Sequence, residues 1–131
     1  MVYINSEVKE IADCLEKDER ISAAYALGSA VTGRLRGDSD LDIALLPTQG
    51  RSFSQMDLLH LSSQLRAYCS RTVDIGILST HNLIYAKEAL LQGECLFCKD
   101  QYFHDMFVAT ALGLYLELRT ARREVEHAYT A

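Results

Sequence analysis

The chain has 131 residues, 49% of them apolar and 24% charged, with a formal net charge of −5. That length sets the expectation of one domain, residues 1–131, with a core of its own. The acidic balance argues against stable nucleic-acid binding, which relies on lysine and arginine. No apolar run reaches membrane-spanning length and no signal-peptide pattern opens the chain, so a cytoplasmic protein without membrane contact is expected.

Asn5 or Ser6 can cap a first helix running to about Lys17, with Val8, Ile11, Ala12 and Leu15 as its apolar stripe. Glu7, Glu10, Asp13 and Glu16 are expected to face water. Residues 21–27 read as a strand buried on both faces. It delivers Gly28-Ser29 to its C-terminal end, where ligands bind in open α/β sheets. A glycine lets a ligand approach the backbone closely, and a short helix over 30–35 capped by Ser29 would offer free amides to phosphate. Segment 32–38 carries Arg34 and Arg36, the basic residues nearest this turn. Each can touch phosphate or face solvent from a loop, and both readings stay open. Ser39 can help hold phosphate or simply turn the chain.

The second strand is expected over 40–46 and alternates. Asp40, Asp42 and Ala44 fall on one face, and Leu41, Ile43 and Leu45 on the other, with same-face neighbours about 7 Å apart. Packed carboxylates repel each other and resist burial unless a cation joins them, and hard oxygen ligands suit magnesium. Pro47 is expected to stop the strand. A polar loop with Gly50 and Arg51 follows. Ser54-Gln55-Met56-Asp57 resembles a capping box that starts a helix to about Cys69, burying Leu58, Leu61, Leu65 and Tyr68 or Cys69. His60 lies off that stripe and is a poor ligand candidate.

A third strand is expected over 71–78, with its apolar run at 73–78. Its Asp74 is an acid in an apolar setting, either a site residue or an edge-strand acid facing water. Thr80 is expected to cap a helix to about Gln92, with Leu83, Ile84, Ala86 or Lys87 and Leu90-Leu91 on its inner side. Gly93 is a good stop, and a short fourth strand spans 94–98. Cys95 and Cys98 on that strand are expected to point to opposite faces, which argues against a zinc site. With Cys14 and Cys69 they read as reduced, mostly buried thiols. A long last helix covers 101–128. Phe103, Met106-Phe107, Thr110, Leu114, Leu118, Ala121 and Val125 recur at spacings of three and four, and Tyr102, Leu112, Tyr115 and Leu116 widen the apolar arc. Either a second face meets another chain or the whole helix is core.

Gly28-Ser29, ten residues, then Asp40-x-Asp42 resembles the Gly-Ser-x10-Asp-x-Asp signature of the nucleotidyltransferase superfamily that includes DNA polymerase β. The size resembles its minimal, MNT-type branch, and the likeness runs from the first helix to about Asp100. It implies an α/β (α+β) minimal nucleotidyltransferase fold: a small mixed sheet of about four strands flanked by helices, core 1–100, with a long C-terminal helix. By the same resemblance Asp40, Asp42 and Asp74 are the catalytic and metal-binding acids. They would hold two Mg²⁺ ions that orient ATP, and Gly28, Ser29, Arg34, Arg36 and Ser39 would bind the nucleotide. Ala30 stands where many members carry an arginine, so that arginine's role does not transfer.

MNT antitoxins silence HEPN ribonuclease toxins by adenylylating a tyrosine on them. The resemblance therefore implies an antitoxin of a type VII-like toxin–antitoxin pair, in hetero-oligomeric complex with a cognate HEPN-domain toxin. A non-catalytic binding antitoxin, and a nucleotidyltransferase acting on RNA or a small molecule, are the alternatives.

Overall fold

The computed structural model describes residues 6–28, 40–69 and 71–130. Ser29, Arg34, Arg36, Ser39 and the short helix expected over 30–35 lie outside them. The described elements run α1 (Ser6–Glu16), β1 (Ile21–Leu27), β2 (Leu41–Pro47), α2 (Gln55–Leu65), β3 (Val73–Ile77), α3 (Leu83–Gln92), β4 (Glu94–Cys98) and α4 (Gln101–Thr130). The strands form one mixed sheet in the order β3-β2-β1-β4. β1 is antiparallel to β2 and β4, and β2 is parallel to β3. A parallel pair needs a crossover, which α2 supplies. The fold is thus α+β, a four-strand mixed sheet with helices and a long C-terminal helix, as the resemblance implied. Among the described residues no helix is long and apolar enough to cross a membrane.

Helices cover both faces of the sheet. On one, Val8, Ile11 and Leu15 of α1 and Leu61 and Leu65 of α2 pack on Ile21, Ala24, Leu41, Ile43, Leu45 and Val73. Leu41, Ile43 and Leu45 are fully buried, and each such burial contributes about 1.5–3 kcal/mol. That alternation fixes the register of β2, because a slip of one residue would drive Asp42 into the core. On the other face, Ala86 and Ala89 of α3 and Ala111 of α4 meet Ala23, Tyr25, Ala44, Leu46 and Leu78. The short side chains on both sides of this seam let the two helices approach the sheet closely.

Several local expectations are corrected. Pro47 does not halt β2 from outside; it is the strand's last residue and pairs with Ile21. The helix begun by the Ser54–Asp57 capping box ends at Leu65, leaving Cys69 buried beyond it and Tyr68 exposed. Asn82, not Thr80, caps α3 by accepting the Tyr85 N–H on its side chain. On α3 the inner side is Ala86 and Ala89, while Ile84 and Leu91 are exposed. Glu7 does more than face water: its carboxylate accepts from Arg71 Nε at 2.9 Å and Nη2 at 3.3 Å, tying α1 to the approach of β3.

Cys95 and Cys98 do not diverge. A register shift in the β1–β4 ladder lets Leu96 and Phe97 both pack against the first core. Cys98 pairs with Ala23 and Cys95 with Tyr25, both residues of the second core. On α4 the inward row is Phe103, Phe107 and Ala111, whereas Met106, Leu114 and Val125 of the expected stripe are exposed. The Tyr25 hydroxyl hydrogen bonds His104 Nε2 and pins the start of α4 to the sheet. Beyond Leu118 every described residue of α4 is exposed.

Candidate active site

The site lies at one end of the sheet, on the face that α3 and α4 cover. Register builds it. Leu27, the last residue of β1, pairs with Asp42 on β2. Asp42 in turn pairs with Asp74 on β3. Neighbouring strands run about 5 Å apart, so the two acids stand side by side in one row. Both are exposed, while Leu41 and Val73 beside them are buried on the opposite face. Asp40 precedes β2 and is exposed as well.

Gly28 follows Leu27 and closes the row. Its φ of +65° lies in the left-handed region, and a methyl group there would stand 3.3 Å from Asp42 Oδ2. Only glycine takes this turn without strain and keeps its backbone against the carboxylate.

A cleft of about 550 Å³ opens over the row, lined by Leu27, Gly28, Asp42, Asp74, Ile75, Gly76, Tyr85, Glu88 and Gln92. Partial desolvation by the cleft walls pushes the Asp42 carboxyl above the usual carboxylate range even though its side chain reaches solvent, and the charges of Asp74 and Asp40 push it further. That is the signature of an acid short of positive charge. Burial, with the Asp42 charge, also lifts the Tyr85 phenol to about 12, so it stays protonated as a donor.

The structure therefore brings Asp42, Asp74 and Gly28 to one cleft and sets Asp40 within electrostatic reach of Asp42. Ser29, Arg34, Arg36 and Ser39 fall outside the described residues. Among the described residues no three acidic, histidine or cysteine side chains converge tightly enough to hold an ion alone. The donor set still fits magnesium, which is ordinarily held by one or two carboxylates together with substrate phosphate oxygens. His60 is exposed, as its place off the helical stripe implied, and does not line the cleft.

All three lining residues on α3, Tyr85, Glu88 and Gln92, escaped the sequence reading. Their spacing of three and four marks one helical stripe, next to the buried Ala86–Ala89 row. Gly76 was the other available signal. It shares a face of β3 with Asp74, and a bare position there means that something bulky lies over it.

The chain matches the family model described as polymerase beta, nucleotidyltransferase, over residues 9–102. No curated protein matches it. Similar solved structures include a toxin–antitoxin with AMP-PNP, at TM-score 0.77 and 21% identity over 97% of this chain and 100% of that one. The MntA–HepT toxin–antitoxin is similar at TM-score 0.69 and 20% identity, over 95% and 97% of the two chains. A tri-AMPylated Shewanella oneidensis HEPN toxin in complex with MNT antitoxin gives TM-score 0.69 and 18% identity, over 94% and 98%. At these identities the likeness is one of fold. The family match, in contrast, spans both strands of the acid row and the glycine turn beside it. The chain belongs to the polymerase beta nucleotidyltransferase family.

Proposed function

We propose that this chain is a magnesium-dependent protein adenylyltransferase. It transfers AMP from ATP to a tyrosine hydroxyl of a HEPN-domain toxin and acts as that toxin's antitoxin in a cytoplasmic hetero-oligomer. The observation that carries the reading is the Asp42–Asp74 pair standing in register next to Gly28. Similar folds come from toxin–antitoxin structures, one holding AMP-PNP and one an AMPylated HEPN toxin, which supports the choice of nucleotide and partner.

Asp40, Asp42 and Asp74 would supply the oxygen ligands for two magnesium ions, whose chemistry there would be to neutralise the charge of the triphosphate and of the acids that face it. The Gly28 amide and the Ser29 hydroxyl bind the terminal phosphates, with Ser39, Arg34 and Arg36 as further phosphate contacts. The α-phosphate rests over Asp42. Asp74 accepts the proton of the incoming phenol as its oxygen bonds to the α-phosphorus. The bond to the β-phosphate oxygen breaks and pyrophosphate departs, with no covalent enzyme intermediate.

The test mixes the purified chain with magnesium, α-labelled ATP and a HEPN-domain protein co-expressed with it. Label on a tyrosine of that protein, lost when both Asp40 and Asp42 are changed to Asn, is the expected result. Label on RNA would overturn it. So would neutralisation of the toxin that survives the double substitution, which would leave a binding antitoxin.

A further inference from the structure

We propose that Tyr85 is the residue that orients the acceptor, forming the entry side of the cleft for the incoming hydroxyl. This deepens the adenylyltransferase reading above and rests on it. In-line displacement puts the leaving group and the nucleophile on opposite sides of the reacting phosphorus. With pyrophosphate departing towards Gly28 and the α-phosphate over Asp42, the nucleophile enters from the Asp74 end of the row. That end is where Tyr85 stands.

Two observations fix its position. A methyl group at Gly76 would fall 2.1 Å from Tyr85 Oη and 2.5 Å from Cζ. The phenol end therefore lies flat on bare backbone, on the same face of β3 as Asp74 two residues earlier. Nearby, the backbone N–H of Tyr85 is held by Asn82 Oδ1, which anchors the first turn of α3 over the sheet. The hydroxyl itself takes no hydrogen bond among the described residues. It lines the cleft next to the acids as a half-buried neutral donor.

A neutral aromatic wall beside a proton-accepting carboxylate suits a phenolic acceptor. The ring offers an edge for another ring, and the hydroxyl offers a hydrogen bond that a charged side chain could not give next to Asp74 without pairing with it. Glu88 and Gln92, one and two turns along the same stripe, extend this wall outward.

The experiment compares wild type with Tyr85→Phe and Gly76→Ala. Affinity for AMP-PNP is measured by calorimetry, and AMP transfer to the HEPN protein by initial rates at varied acceptor concentration. Melting temperature guards against misfolding. The expected result is an acceptor kcat/KM about 10-fold lower in Y85F, carried mainly by KM, with AMP-PNP affinity unchanged. G76A, which pushes the ring off the strand, should show the same split. Wild-type values for Y85F in both assays would overturn the inference while leaving the adenylyltransferase standing. Loss of AMP-PNP binding in step with transfer would also overturn it, placing Tyr85 in the nucleotide subsite. A wild-type chain that labels no acceptor would bring down both readings together.

Discussion

Asp42 and Asp74 occupy opposed positions on parallel neighbouring strands, and the carboxyl of Asp42 holds its proton more tightly than a free one. Burial, Asp74 and Asp40 all raise its pKa. The arrangement costs the fold something, because like charges in adjacent register destabilise a sheet. A sheet that keeps two acids in one row, next to a glycine held at φ +65°, is spending stability on a site.

Replacing Asp42 with Asn should separate stability from activity. An acid whose folded-state pKa lies above its unfolded value binds its proton more tightly when folded. Its contribution to stability is therefore present at low pH and is lost as pH rises through the carboxylate range. Metal-free D42N should melt at or above the wild-type temperature at neutral pH, and the gap should close by about pH 3, below the unfolded carboxylate pKa. AMP transfer should fall by about 10³-fold or more. Thermal melts across pH, with and without magnesium, check the first expectation, and initial rates check the second. A D42N protein markedly less stable than wild type at neutral pH would refute the electrostatic account.

Gly28→Ala should damage both fold and site. The left-handed backbone costs a non-glycine residue about 1–2 kcal/mol, and the added methyl would crowd Asp42 Oδ2 at 3.3 Å. Urea titration should show a lower midpoint with an unchanged slope. AMP-PNP binding should weaken more than stability does, since the Gly28 amide is the proposed phosphate contact. Unchanged affinity would remove Gly28 from that role.

The parts of this molecule that were legible in the sequence are those governed by local rules. β1 and β4 are found at their expected limits because short apolar runs are bounded by charge and glycine. The Ser54–Asp57 box was readable because both of its hydrogen bonds are set by spacing alone. Asp42 on β2 was readable from alternation, whereas Asp74 stood out as an acid in an apolar run and its adjacency to Asp42 needed the family resemblance. What failed depended on partners. Ser79, Thr80 and Asn82 can all cap; Ser79 Oγ accepts the His81 N–H, which leaves Asn82 to take Tyr85. The β4 register shift is set against β1, so no spacing of Cys95 and Cys98 reveals it. Tyr85 was missed because its place over Gly76 is a tertiary contact between α3 and β3.

Glu7→Ala should destabilise the chain by about 2 kcal/mol, below the usual cost of breaking a fully buried pair because Glu7 is partly exposed. The Arg71 side chain is only 7% exposed and that of Glu7 is 33% exposed. Removing the carboxylate takes a two-pronged charge partner from a guanidinium held in the interior. Arg71 stands two residues before β3, so hydrogen exchange should quicken at Val73 and Asp74 before it does in β1. A change below about 0.5 kcal/mol would mean that the pair behaves as an ordinary surface bridge.

Ala111→Leu tests which side of α4 is the packing seam. Ala111 is buried against Ala23, Ala44, Ala86 and Ala89, in the second core. Three extra carbons in that seam must push α4 off the sheet or force strained rotamers, at about 1–3 kcal/mol. Leu116 is 56% exposed on the same helix, and Leu116→Ala should change stability by less than about 0.5 kcal/mol. On size alone the order would be reversed, since the leucine loses three carbons from an apolar position. Urea midpoints of the two variants decide between these. A Leu116→Ala loss equal to that of Ala111→Leu would place the contact row of α4 about half a turn away from Phe103, Phe107 and Ala111.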